Sequence, residues 1–241
     1  MLKYLFQIVF FLQISTVALF AQQAETNLPF TTVQDIDAHL QDQFKKKGER
    51  ILQIYLIRHA KPNLKKKFFC SADQAQNYLE NYNRAPVCEF PSGYVNIALT
   101  KPHQIYCSSL PRSQETALSL FGNSYPVVSD SVFREFELKI VNASSIIKIP
   151  LDLWKGISRI SWVLGFNHQG IESFKKAKER VVFSTDNLEK LANQEETAIL
   201  VGHGMINASI AKELKRRGWT IVQKKGHLNL GATILQKVVS L

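Results

Sequence analysis

The sequence predicts an α/β domain, arranged in three α/β/α layers around a mostly parallel central sheet. Three observations lead there. Residues 51–57 (ILQIYLI) and 197–201 (TAILV) are unbroken β-rich apolar runs, the pattern of strands buried on both faces. Strand-like and helix-like segments alternate along the chain. Helix boundaries carry recognisable caps: Ser71 with Gln74 forms a capping-box pattern, and Pro111 and Gly122 bracket one segment.

In chain order, Val33, Ile36 and Leu40 after Thr32 predict a surface helix over 33–46. Residues 51–57 are the first central strand, followed by a polar, basic loop to Phe69. A helix runs from Ser71 to about Asn83. Residues 104–108 (QIYCS) are the second strand, and a helix from Pro111 stops before Gly122. Residues 126–129 form a short strand. The patterns over 151–163 and 171–191 are helical, 197–201 is a buried strand, and 205–217 is a helix stopped by Gly218. Strands over 219–222 and 232–239 close the chain. With no internal repeat, low-complexity tract or obvious linker, residues 22–241 read as one domain. Residues 70–100 and 141–170 are then insertions over one end of the sheet.

Residues 1–21 read as a signal peptide: Lys3 supplies a positive start, 4–20 are uncharged and mostly apolar, and Ala21 marks the cleavage site. The expectation is an exported protein, periplasmic or secreted, with no stable membrane insertion after cleavage. Export makes the cysteines relevant. Cys107 lies in a strand and reads as a small core residue. Cys70 and Cys88 flank one helix, and whether they bridge is left open.

The 241 residues are 45% hydrophobic and 21% charged, ordinary globular values that exclude a disordered or polytopic membrane chain. The net charge of +10 suits anionic partners. The lysine runs at 45–47, 65–67, 175–176 and 224–225 are scattered, without interleaved aromatics or a base-reading motif, so no nucleic-acid partner is expected. Oligomeric state is not legible.

Chemistry concentrates after the predicted strands, where ligands bind in open α/β sheets. Arg58-His59 follows the first, Ser108-Ser109 and then Arg112 the second, and Gly202-His203-Gly204 the strand at 197–201. Two guanidiniums match phosphoryl oxygens with bidentate hydrogen bonds. Their charge keeps a histidine unprotonated and free to attack. A second histidine can donate to the same oxygens. Elsewhere, His168 and Glu172 have metal-pair spacing without a third ligand. His103 and His227 sit in or near turns. Trp154 and Trp162 read as packing residues of an insertion helix. Lys61, Asn63, Tyr94 and Arg159 are candidate substrate contacts from their place near the expected site.

Residues 55–62 (YLIRHAKP) resemble the opening motif of the histidine phosphatase superfamily, the phosphoglycerate mutase-like fold. Residues 105–117 (IYCSSLPRSQETA), 133–138 (FREFEL) and 200–211 (LVGHGMINASIA) resemble its later motifs, in family order. The resemblance implies His59 as a nucleophile that becomes phosphorylated, and Arg58, Arg112 and His203 as holders of the phosphoryl oxygens. Glu135 would be the acid and then the base, with Glu137 as its competitor and Arg134 as a possible surface partner. It implies no metal and no cofactor. Lys65 stands where the family's mutases usually carry asparagine, and Lys139 where the acid's loop usually has glycine. The expected activity is therefore hydrolysis of small phosphate monoesters. Two other readings stay open: a phosphohistidine or phosphoprotein phosphatase, and a non-catalytic envelope module that binds phosphorylated ligands.

Overall fold

The computed structural model describes residues 46–66, 68–91, 97 and 104–240. The expected signal peptide, nearly all of the expected 33–46 helix, Tyr94 and His103 lie outside the described residues. Along the chain the elements are β1 (Glu49–Arg58), β2 (Phe69–Cys70), α1 (Ala72–Arg84), β3 (Ile105–Ser108), α2 (Pro111–Phe121), β4 (Val127–Asp130), β5 (Ile149–Pro150), α3 (Leu151–Val163), α4 (Phe174–Glu195), β6 (Thr197–Gly202), α5 (Gly204–Arg216), β7 (Thr220–Lys224) and β8 (Ala232–Ser240).

Six of the strands form one sheet in the order β4-β3-β6-β1-β8-β7. The run β4-β3-β6-β1 is parallel, and β8 lies antiparallel to both β1 and β7. The sheet is thus mostly parallel, as its apolar strands predict. β1 is central because both of its faces are covered. Leu52, Ile54 and Leu56 pack in one cluster with Leu188 of α4 and Ile206, Ile210 and Leu214 of α5. Tyr55 and Ile57 point to the other face and are just as buried. Each such side chain contributes about 1.5–3 kcal/mol of burial.

The helices begin where their caps say. Ser71 and Gln74 make the reciprocal capping box of α1, each side chain bonding the other's backbone N–H. Pro111 opens α2. Gly122 closes it with an ordinary right-handed φ of −60°, and its missing Cβ matters sterically: one would sit 2.6 Å from the Leu118 carbonyl oxygen. α4 starts three residues later than its apolar pattern suggests, because Ser173 accepts from Lys176 N and sets the first turn. β2 and β5 form a two-stranded ribbon that two-residue segments give no periodicity to predict. None of Cys70, Cys88 and Cys107 is in a disulfide, so Cys70 and Cys88 do not bridge. Trp154 and Trp162 are packing residues, and their indoles donate to the Cys70 and Glu172 carbonyls.

Candidate active site

β3, β6 and β1 are parallel neighbours, so their carboxyl ends come out side by side. Arg58 pairs with Gly202 and Cys107 with Val201. One residue further on, Ser108, His203 and His59 share one edge. β4 reaches the same edge and leads through a turn at Ser131–Phe133 to Glu135.

His59 is 2% exposed, with Nδ1 2.7 Å from the Ala60 carbonyl and Nε2 accepting from Arg112 Nε at 3.2 Å. An Nδ1–H donated to that carbonyl leaves the Nε2 lone pair to accept from Arg112. The backbone here is fixed: Ala60 N donates to Thr116 Oγ1, and Asn229 Nδ2 donates to the His59 carbonyl. Burial, followed by the Arg112 charge, lowers the His59 pKa to about 3, with Arg58 adding a smaller push and the Ala60 carbonyl opposing.

His203 is the N-cap residue of α5 and lies 5.0 Å from His59, ring centre to ring centre. Its Nε2 is 2.7 Å from Ser108 Oγ, which also accepts from Leu110 N. Burial and then the charge of Arg112 hold its pKa well below the usual imidazole value. Its Nδ1 and the Arg58 Nε are buried without a hydrogen-bond partner.

Arg58 donates through Nη1 to the His227 carbonyl and lies against Gly204, whose missing Cβ leaves room 3.5 Å from the guanidinium. Arg112 is 2% exposed, stacked over the Tyr82 ring and bonded to Asn83 Oδ1. Glu135 accepts from Met205 N and Ile206 N, both at 3.0 Å, so its carboxylate sits on the positive end of α5. Arg134 pairs instead with Glu137, which also accepts from Glu172 N. Glu135 is therefore not the surface partner of Arg134.

Arg58, Arg112 and Glu135 line a cleft of about 340 Å³ together with Tyr78, Lys155 and Arg159, and His59 and His203 lie buried behind these lining residues, with His59 Nε2 bonded to Arg112. Of the other candidates, Arg159 borders the cleft, held by the Phe136 and Glu137 carbonyls. Lys61 and Asn63 are exposed and do not border it; their backbone is tied to Cys88 N and the Pro86 carbonyl. Glu172 forms a two-point ion pair with Arg180, away from any metal role with His168. His227 is exposed in its turn. Among the described residues, no group of His, Cys, Asp and Glu could hold a metal ion.

Sequence reasoning assigned no role to Ser108, Tyr82, Asn83 or Asn207. Asn207 Nδ2 bonds the Ile57 carbonyl, and its Oδ1 fills the space where a Gly202 Cβ would be, 2.4 Å away. The glycine before His203 was the one available signal, because a strand interior normally disfavours glycine.

The family model for the histidine phosphatase superfamily (branch 1) matches residues 54–237. The chain belongs to the histidine phosphatase superfamily. The match takes in all four motif segments, from β1 to β8. No curated protein matches the sequence. Among solved structures, superfamily relatives of low similarity align. A mycobacterial glucosyl-3-phosphoglycerate phosphatase has 16% identity and a TM-score of 0.42, covering 78% of this chain and 91% of that one. A phosphoglycerate mutase from Bacillus anthracis has 14% identity and a TM-score of 0.48, covering 80% and 90%.

Proposed function

We propose that this histidine phosphatase-superfamily chain is an exported, metal-independent phosphatase acting on small phosphate monoesters through a phosphohistidine on His59. The observation that carries the reading is the fixed tautomer of His59. Its Nδ1–H is taken by the Ala60 carbonyl, and its Nε2 lone pair stands beside the guanidinium of Arg112.

In the first step Nε2 attacks phosphorus, the bond to the leaving oxygen breaks, and Glu135 donates a proton to that oxygen. Arg112 shifts its hydrogen bond from the imidazole to the phosphoryl oxygens, joined by the open Nε of Arg58. If Ser108 donates its hydroxyl to His203 Nε2, the Nδ1–H of His203 is left to donate to the same oxygens. In the second step Glu135 takes a proton from water, the resulting hydroxide attacks phosphorus, and the N–P bond breaks. Inorganic phosphate leaves and neutral His59 is restored. Arginines carry the charge that magnesium carries in other phosphoryl transfers. The mutase asparagine is missing, with Lys65 in its place, which favours the hydrolase reading over the mutase one. The apolar run of residues 4–20 supports export.

The test is hydrolysis of p-nitrophenyl phosphate with EDTA present, beside His59→Ala, with acid-labile phosphate on the protein measured in parallel. Turnover and label that both vanish in the variant are expected. Turnover that survives in His59→Ala, or that requires added metal, would sink the reading.

A further inference from the structure

The large apolar side chains left exposed are unevenly distributed. Phe68, Phe69, Ile146, Ile147, Leu153, Ile157, Ile160, Val163, Leu164 and Phe166 all fall in two short stretches, at 39–87% exposure. On α3 they have a definite geometry. Leu151, Trp154, Ser158 and Trp162 form its buried face. Leu153, Ile157, Ile160 and Leu164 recur at helical spacing on the opposite side, facing outward. Lys155 and Arg159 occupy a flank between the two faces and border the catalytic cleft. The β2–β5 ribbon adds Phe68 and Phe69 at the start of α3, where the Phe68 carbonyl accepts from Leu151 N. A monomeric soluble surface does not ordinarily gather so many large apolar groups.

We infer that this face of α3, with Phe68 and Phe69, docks on an anionic lipid surface and holds the cleft beside it. Charge selects this occupant over a second copy of the chain. Residues 61–70 and 139–171 together hold eight lysines and arginines and one carboxylate, Asp152. Asp152 is already paired with Lys66 and Lys155, leaving exposed Lys65 and Lys148 beside the apolar groups. A like-charged copy would be repelled, whereas anionic headgroups attract lysines that flank an apolar helix face. The docking is peripheral: among the described residues no helix is long and apolar enough to cross a membrane.

The test places an environment-sensitive fluorophore at Ile160→Cys and, separately, at Val222→Cys on exposed β7, in the full chain. Labelled wild type corrects for reaction at Cys88. Vesicles of phosphatidylcholine alone are compared with vesicles that also contain phosphatidylglycerol. With the anionic vesicles, a blue shift and several-fold brighter emission are expected at position 160 and not at 222, abolished by Ile157→Asp and reversed by high salt. An unchanged Ile157→Asp turnover on p-nitrophenyl phosphate shows that this variant is folded. No shift at 160, equal shifts at both positions, or a shift that appears without lipid as protein concentration rises would each overturn the inference. The last result would assign the face to self-association. The hydrolysis assay tests the catalytic reading separately, so either can fail alone.

Discussion

Arg112 and Arg217 are both well packed, yet their surroundings are opposite in kind. Arg217, just past α5, is ringed by Asp186, Glu189 and Glu213, and Trp219 donates to the same Glu189. Burial works against its charge, but hydrogen bonds to these carboxylates outweigh it and push its pKa up. Arg112 touches an imidazole, an asparagine and a tyrosine ring, with no carboxylate in hydrogen-bond contact among the described residues. Burial pushes its pKa down, with Tyr82 and Glu135 partly offsetting. A cation already neutralised holds a fold together. A buried cation with no ion-pair partner is costly, and in the proposed mechanism a phosphoryl group recovers that cost. The contrast marks which end of the sheet is built for a ligand.

The largest effect expected is at His59, the proposed nucleophile. His59→Ala should reduce kcat/KM for p-nitrophenyl phosphate by about three orders of magnitude or more, measured in steady state on the same preparation as wild type. Next comes the arginine pair itself. Arg112→Ala should lower kcat by about 10²–10³-fold without lowering the thermal midpoint. Arg217→Ala should leave kcat in place and cost on the order of 1–3 kcal/mol in urea unfolding. If instead Arg112→Ala unfolds the protein and Arg217→Ala abolishes turnover, the comparison is wrong.

Proton transfer should separate by leaving group. Glu135→Gln keeps a side-chain oxygen for Met205 N or Ile206 N but cannot deliver the proton. It should slow alkyl phosphates about 10²-fold or more and aryl phosphates with good leaving groups far less. A uniform loss on both substrates would assign Glu135 to positioning α5 rather than to chemistry.

The histidines also predict a pH dependence of stability. The folded-state pKa of His59 lies below its unfolded value, so the unfolded chain binds the proton first as pH falls. Stability is full above about pH 6.5 and declines toward the folded value of about 3, at about 1.4 kcal/mol per pH unit for one histidine. His203 is shifted in the same direction and adds to this slope. Urea titrations at stepped pH should show His59→Asn with a shallower acid slope than wild type. Gly202→Ala must displace the Asn207 side chain and should cost about 1–3 kcal/mol by thermal melts, an effect on stability comparable to that of Arg217→Ala.

Much of this molecule was legible before any coordinates. Residues 51–57 and 197–201 are apolar on both faces, and only a central strand needs that. Ser71, Pro111 and Gly218 act locally on their own helix turns, so their effect survives any tertiary context. The motif segments carried His59, Arg58, Arg112, Glu135 and His203 to one edge by topology alone. Other features depend on contacts between distant segments, which periodicity does not encode. The antiparallel course of β8 and the β2–β5 ribbon are pairings of this kind. So are the seat of Arg112 on Tyr82 and Asn83, and the place of Glu135 on the first turn of α5 rather than beside Arg134. Lys61 and Asn63, close in sequence to His59, are drawn away by pairing with residues 86–88. The amino-acid sequence alone determined which strands are central and where the helices start, because burial and capping are properties of local pattern. The tertiary structure alone decided which charges are neutralised and which stand open, because that depends on partners brought together from distant parts of the chain.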